Sequence, residues 1–178
     1  MKQKNPITTE RLLITPLTAE DNNFILELVN TEGWLKFIGN RNVYTIEEAS
    51  AYIERIKSNK NIQYWIARLK QKKTAIGIIT LIKRDHLQHP DVGFAFLPQF
   101  SNNGFAYEAT KAVLHSILQH NNYQKIAAIT IPGNTRSIGL LKKLEFHLEK
   151  KIIDNNEELE LYYVSASNLK NILNNTNR

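Results

Sequence analysis

The chain has 178 residues, 42% of them hydrophobic and 9% aromatic, enough apolar material for one domain around one core. No apolar run approaches the ~20 residues of a membrane helix, and the opening MKQKNPITTER lacks the apolar centre of a secretory signal, so a cytoplasmic protein with no membrane partner is expected. Zero cysteines exclude disulfides, thiolate metal ligands and a cysteine nucleophile, while the net charge of +6 suits an anionic partner.

In chain order, ERLLITPL (10–17) reads as a first strand and TAEDNNFILELVN (18–30) as a helix with acids near its start, the end that favours anions. The stretch GWLKFIGNR (33–41) mixes Trp34, Phe37 and Ile38 with Asn40 and Arg41, and either lines an acceptor pocket or plugs the core. TIEEASAYIERIKSN (45–59) is a second helix with Thr45 as N-cap and Glu48 at the capping-box position. YWIARLK (64–70) and AIGIITLIKR (75–84) flank the lysine-rich tip KQKK (70–73) as an antiparallel hairpin. Lys83, Arg84 and Asp85 end the second of these strands, where they meet an acceptor carboxylate or only one another.

DVGFAFLP (91–98) is a strand, Gly104 to about His120 a helix, KIAAITIP (125–132) a strand, and Asn134 to Leu144 a helix. HLEKKIID (147–154) and LELYYVSA (159–166) pair around NNEE, and NLKNILNNTNR (168–178) is a short helix that frays. The order β-α-α-β-β-β-α-β-α-β-β gives one α/β domain over residues 1–178, with a mixed, largely antiparallel sheet of about seven strands flanked by helices. The lysines are scattered and lack interleaved aromatics, so a solvated surface is preferred to a nucleic-acid-binding patch. His86 and His89 lie in a loop without an organised third ligand, so no metal site is expected.

The stretch FLPQFSNNGFAYEATKAVL (96–114) carries the functional signal. A helix starting straight after a strand presents backbone N–H groups without intrahelical partners and the positive end of its dipole, which together attract phosphate. Gly104 can take a positive φ and lets an anion near the backbone, and Ala106 lacks the bulk to block it. Asn102 and Asn103 tolerate left-handed conformations and can donate side-chain amides. A P-loop and a dinucleotide fingerprint both need further glycines, which are absent. The strand before the loop alternates Asp91, Gly93, Ala95 and Leu97 on one face with Val92, Phe94 and Phe96 on the other, so one face is kept small.

DVGFAFLPQFSNNGFAYEATKAVL, TIPGNTRSIGLLKKLEF some thirty residues later and TERLLITPLTAED at the start resemble, over nearly the whole chain, the GNAT acyltransferase superfamily, especially its ribosomal-protein N-terminal acetyltransferases. The resemblance implies an acetyl-CoA-dependent N-acetyltransferase without a metal, with Ser101-Asn102-Asn103-Gly104-Phe105-Ala106 matching the cofactor loop. Ser101 departs from that pattern, which has a long polar side chain there. By similarity, Ala95, Phe96 and Leu97 offer backbone groups to the pantetheine arm as an added strand would. Asn134 resembles the residue that touches that arm, Ser137 the presumed acid, and both also suit a helix N-terminus. The tyrosine acid of many relatives is replaced by Leu141.

Amide formation from a thioester needs a neutral amine, a stabilised oxyanion and an exit for the thiolate. Asp91 is the leading candidate for the base, acting directly or through a water, by its place on the small face and its resemblance to the carboxylate of histone-acetylating relatives; its alternative is a solvated residue at a strand start. Trp34, Phe37 and Arg84 are the candidate acceptor contacts. The acceptor is a protein N-terminus or a small-molecule amine, and the protein a monomer or homodimer. An acetyl-CoA-binding regulator without turnover and a basic nucleic-acid-binding module are the rival classes.

Overall fold

The computed structural model describes residues 5–154 and 156–169. The first predicted strand (10–17) starts at Leu12, after a turn at residues 9–11 in which the Thr9 hydroxyl accepts the Leu12 N–H at 3.0 Å, and an unforeseen short strand precedes that turn. Chain reversal there gives β1 (Ile7–Thr8) antiparallel to β2 (Leu12–Pro16), so the sheet has eight strands rather than about seven. The helix expected at 18–30 opens as a 3-10 turn, Ala19–Asp21, because the buried Asp21 carboxylate folds back to accept the Thr18 N–H at 2.9 Å; the α-helix proper is α1 (Asn22–Val29). Asp21 also forms an ion pair with Arg68 of β3 (Ile62–Leu69), tying this turn to the sheet.

An unforeseen one-and-a-half-turn helix, α2 (Glu32–Phe37), follows. α3 (Ile46–Ser58) begins at its predicted box: Thr45 Oγ1 accepts the Glu48 N–H at 3.2 Å and Glu48 Oε2 accepts the Thr45 N–H at 3.0 Å. The remaining elements are β4 (Ala75–Ile82), β5 (Asp91–Phe96), α4 (Phe105–His120), β6 (Lys125–Thr130), α5 (Thr135–Lys143), β7 (His147–Asp154) and β8 (Glu157–Ser165). Residues 166–169 are helical. Asn155 of the last hairpin and residues 170–178 of the predicted tail helix lie outside the described residues.

The sheet runs β1-β2-β3-β4-β5-β6-β8-β7, antiparallel everywhere except β5 beside β6. Alternation along each strand supplies two apolar faces. On one face α4 and α5 pack Val113, Leu114, Ile117 and Leu141 against Leu12, Trp65, Ile79 and Val92. On the other, α1 to α3 pack Ile25, Leu28 and Ile53 against Ile66, Ile78 and Leu97. Among the described residues no helix is long and apolar enough to cross a membrane.

Candidate active site

The parallel pairing of β5 with β6 comprises one register pair, Asp91↔Ala127, next to an Ala127 N–H to Pro90 C=O bond of 2.8 Å. From that pair the two strands diverge toward their C-terminal ends. The Leu97 N–H donates to the Ile76 C=O at 2.9 Å, and the alternation of an antiparallel ladder turns the amides of Ala95 and Gly93 toward β4 as well. The peptide groups of Phe94 and Phe96 therefore face the opening. This corrects the sequence expectation: of Ala95, Phe96 and Leu97, only Phe96 presents its backbone to the opening, and Phe94 joins it. Gly77 makes room for this strand, since a Cβ there would stand 2.3 Å from the Phe96 ring.

The mouth of the opening is built from the starts of two helices, because β5 runs into α4 and β6 into α5. After the 3-10 turn Pro98–Phe100, Asn102 (φ 62) and Gly104 (φ 77, ψ 0) both take the left-handed conformation. Gly104 is the N-cap of α4 and no side chain caps it. The first bond of the helix runs from the Glu108 N–H to the Gly104 C=O at 3.0 Å, which leaves the N–H groups of Phe105, Ala106 and Tyr107 without intrahelical partners. Asn103 turns its side-chain amide inward to the Ser101 C=O at 2.9 Å, so it orders the loop rather than offering that donor outward. Across the mouth, Asn134 Oδ1 accepts the Ser137 N–H at 3.1 Å and caps α5. Leu141, one turn further on, is buried in the core. Unpaired amides beside an unpaired strand edge fit a ligand with a diphosphate and an extended amide-bearing arm.

A cluster that the sequence did not disclose braces this loop. Glu108 Oε1 accepts from the Thr9 hydroxyl at 2.5 Å and the Arg11 N–H at 2.9 Å, and Oε2 from Arg11 Nε at 2.7 Å, with Arg11 Nη2 at 2.6 Å. Arg11 Nη1 donates to the Asn103 C=O at 2.9 Å, and the guanidinium carbon lies 4.4 Å from the centre of the Phe105 ring. Burial pushes the Glu108 carboxyl up, but the Thr9 and Arg11 donors outweigh it and hold it below its usual range. These partners are nearly a hundred residues apart, so no local pattern announces them.

On the face covered by α1 to α3, the register aligns Tyr64, Thr80 and Gly93 in one row across β3, β4 and β5, with Asp91 on the same face two residues before Gly93. The Thr80 hydroxyl lies 2.7 Å from where a Cβ on Gly93 would stand, so the glycine keeps this row open. The hydroxyls of Tyr52 and Tyr64 are 3.4 Å apart. Burial pushes the Tyr64 hydroxyl far above its usual range, fixing it as a neutral group. Asp91 is 4% exposed rather than solvated. Arg84 Nε donates to its Oδ2 at 2.8 Å, and among the described residues Oδ1 has no partner within hydrogen-bond geometry, the Ile129 backbone N–H adding only a weaker pull on the carboxyl. Burial raises its carboxyl to about 6 against the opposing pull of Arg84.

Two expected acceptor contacts are placed differently. Arg84 is engaged by Asp91, and Trp34, 4% exposed, packs in the core with its indole N–H donating to the Gly39 C=O at 3.1 Å. Phe37 is half-buried beneath Lys36, and the exposed apolar surface of that segment comes from Leu35 and Ile38. Among the described residues no three His, Asp or Glu side chains come together as a metal site; His89 stacks edge-on against Tyr163.

Residues 11–147 match the family described as the acetyltransferase (GNAT) domain. An uncharacterised N-acetyltransferase of Bacillus subtilis, YnaD, is 30% identical over 161 residues, which cover 88% of this chain and 94% of that protein. The fold resembles spermidine N-acetyltransferase from Vibrio cholerae, solved with CoA and spermine (TM-score 0.78, 16% identity, 91% of this chain and 99% of that one). It also resembles ribosomal-protein-S5-alanine acetyltransferase from Vibrio fischeri (TM-score 0.77, 18% identity, 90% and 96%).

Proposed function

Since the chain belongs to the GNAT acetyltransferase domain family, we propose that it transfers an acetyl group from acetyl-CoA to a primary amine by direct attack in a ternary complex. One observation carries this reading: a parallel strand pair that separates after a single register pair, with two helix starts at its mouth. Acetyl-CoA supplies the activated acyl carbon. The amides of Phe105, Ala106 and Tyr107 hold the diphosphate, in the loop shaped by Asn102, Asn103 and Gly104. Phe94 and Phe96 pair with the pantetheine arm as a neighbouring strand would, and Asn134 meets the arm from across the opening.

Asp91 takes the proton that the amine loses, directly or through a water, using the oxygen that Arg84 leaves free. The amine nitrogen bonds to the carbonyl carbon, the carbon–sulfur bond breaks, and Ser137, whose hydroxyl makes no hydrogen bond among the described residues, passes its proton to the departing thiolate as it takes one from solvent, to which Asp91 releases the proton of the amine. An α-amino group is less basic than a lysine-type amine and gives up its proton to a carboxylate at lower cost, and burial narrows the remaining gap by raising the Asp91 carboxyl. An α-amine, on a protein N-terminus or an amino-acid-like molecule, is therefore the favoured acceptor. The solved relatives named for their acceptors, one a ribosomal-protein alanine and one spermidine, bracket that choice.

The test combines calorimetry with acetyl-CoA and thiol release across a panel of α-amines, lysine-type amines and polyamines. Binding with thiol release on α-amines is the expected result. No uptake of acetyl-CoA would overturn the proposal. Uptake without turnover on any amine would select the second reading, a non-catalytic binder, which the apolar Leu141 in place of an acid tyrosine favours.

A further inference from the structure

The loop that precedes α4 contains a contradiction. Three unpaired amides at a helix start favour an anion, yet Glu108 places a carboxylate on the first turn of the same helix, held ionised by its partners. A diphosphate arriving there meets a negative charge about one helical turn away, where a bare like charge costs binding. Arg11 resolves both this and a second problem. Two consecutive turns of the loop depend on left-handed residues, and one of them, Asn102, lacks the freedom of glycine. The loop needs an external brace to keep that shape.

We infer that Arg11, reaching over from the start of β2, is the positioning residue of the diphosphate loop. It fixes the loop through the Asn103 carbonyl and the Phe105 ring, and neutralises Glu108 where a bound diphosphate would face it. The geometry is specific to arginine. One edge of its guanidinium, Nε and Nη2, grips a single carboxylate while Nη1 binds the loop carbonyl, and its plane lies at stacking distance from Phe105. Nη2 is also the nearest atom to the position a Cβ on Gly104 would occupy, at 3.4 Å, so the guanidinium borders the residue whose left-handed turn sets up the free amides. The side chain is 43% exposed, open on its outer side. It thus reaches the loop from another part of the chain, at Asn103, Gly104 and Phe105.

This inference rests on the acetyl-CoA reading, and the experiment separates the two. Calorimetry with coenzyme A is run at several salt concentrations on the wild type and on Arg11→Ala, Arg11→Lys, Glu108→Gln and the Arg11→Ala/Glu108→Gln pair. S-acetyl-pantetheine, which has the arm without the diphosphate, serves as a second acyl donor once an acceptor is known. Arg11→Ala is expected to weaken coenzyme A about tenfold or more, raising KM for acetyl-CoA while leaving kcat within about twofold and the reaction with S-acetyl-pantetheine unchanged. Arg11→Lys falls between, since it restores charge without the fork. The double variant regains part of the loss, because the uncompensated carboxylate has gone, and Glu108→Gln binds at least as tightly as the wild type with a steeper salt dependence. Wild-type affinity in Arg11→Ala, or equal damage to both acyl donors, overturns the inference. A wild type that takes up no coenzyme A overturns the underlying reading instead. Should Arg11→Ala fail to fold, Arg11→Lys and Glu108→Gln decide the matter by the same affinity and salt comparisons.

Discussion

Replacing Asp91 by asparagine keeps the shape of the side chain and an oxygen for Arg84, and removes the charge. In the folded protein burial raises this carboxyl from 3.8 to about 6, which corresponds to ~3 kcal/mol against its ionised form. Between those two pH values the native state holds a proton that the unfolded chain has released, so stability falls as pH rises through the window and stays lower above it. Near pH 7 about nine-tenths of the carboxyl is ionised, ready to accept a proton. Relative to Asp91→Asn, in which every other titrating group is kept, the wild type should therefore lose ~2 kcal/mol of stability between pH 4 and 6 in urea titrations. With a responding amine, thiol release should fall ~10²- to 10⁴-fold, and the acid limb of kcat/KM with its midpoint near pH 6 should vanish. A variant that retains the rate and that limb would refute the assignment of Asp91 as the base, and a wild-type stability profile parallel to that of Asp91→Asn across the window would refute its raised carboxyl.

Gly104→Ala forces a Cβ onto a backbone at φ 77 and should cost ~1–2 kcal/mol in thermal or chemical unfolding, while weakening coenzyme A in calorimetry. Gly77→Ala puts a methyl 2.3 Å from the Phe96 ring, so the strand edge at the opening must shift; a loss of ~1–3 kcal/mol in urea unfolding is expected, with a rise in KM for acetyl-CoA. Asp21→Ala leaves Arg68, whose side chain is 22% exposed, without its buried partner and should destabilise by ~3–5 kcal/mol in the same assay.

The parts of the site that lie within one stretch of chain were legible. The Gly104 turn into α4 and the Thr45 box of α3 are local events, each written within about four residues. The order of apolar-periodic segments supplied the mixed sheet and most of its helices as well, and the family resemblance agreed with it. What escaped depends on pairing between distant segments. Alternation along DVGFAF divides the residues of β5 into two sets, but only the Leu97–Ile76 bond decides which set turns its amides to the opening. The ionic brace of Arg11 and Glu108 and the Tyr64–Thr80–Gly93 row are likewise properties of register and packing. Trp34 was ambiguous because an aromatic in a short apolar segment suits pocket and core alike, and α2 was missed because six residues carry too little periodicity to announce a helix.

A gap within a sheet creates two interior borders in addition to the outer pair, and unpaired peptide groups at any border recruit stray extended chain. The outer borders are guarded: β1 is two residues long, and β7 carries Glu149, Lys150 and Lys151 in its exposed run. On the inner border formed by β5, Phe94 and Phe96 turn ordinary peptide groups to the opening while their rings pack on the core. A nucleotide-linked thioester seated between the two inner borders would then complete the architecture as well as react, so the newly made, unliganded chain is the form most open to mispairing and clumping.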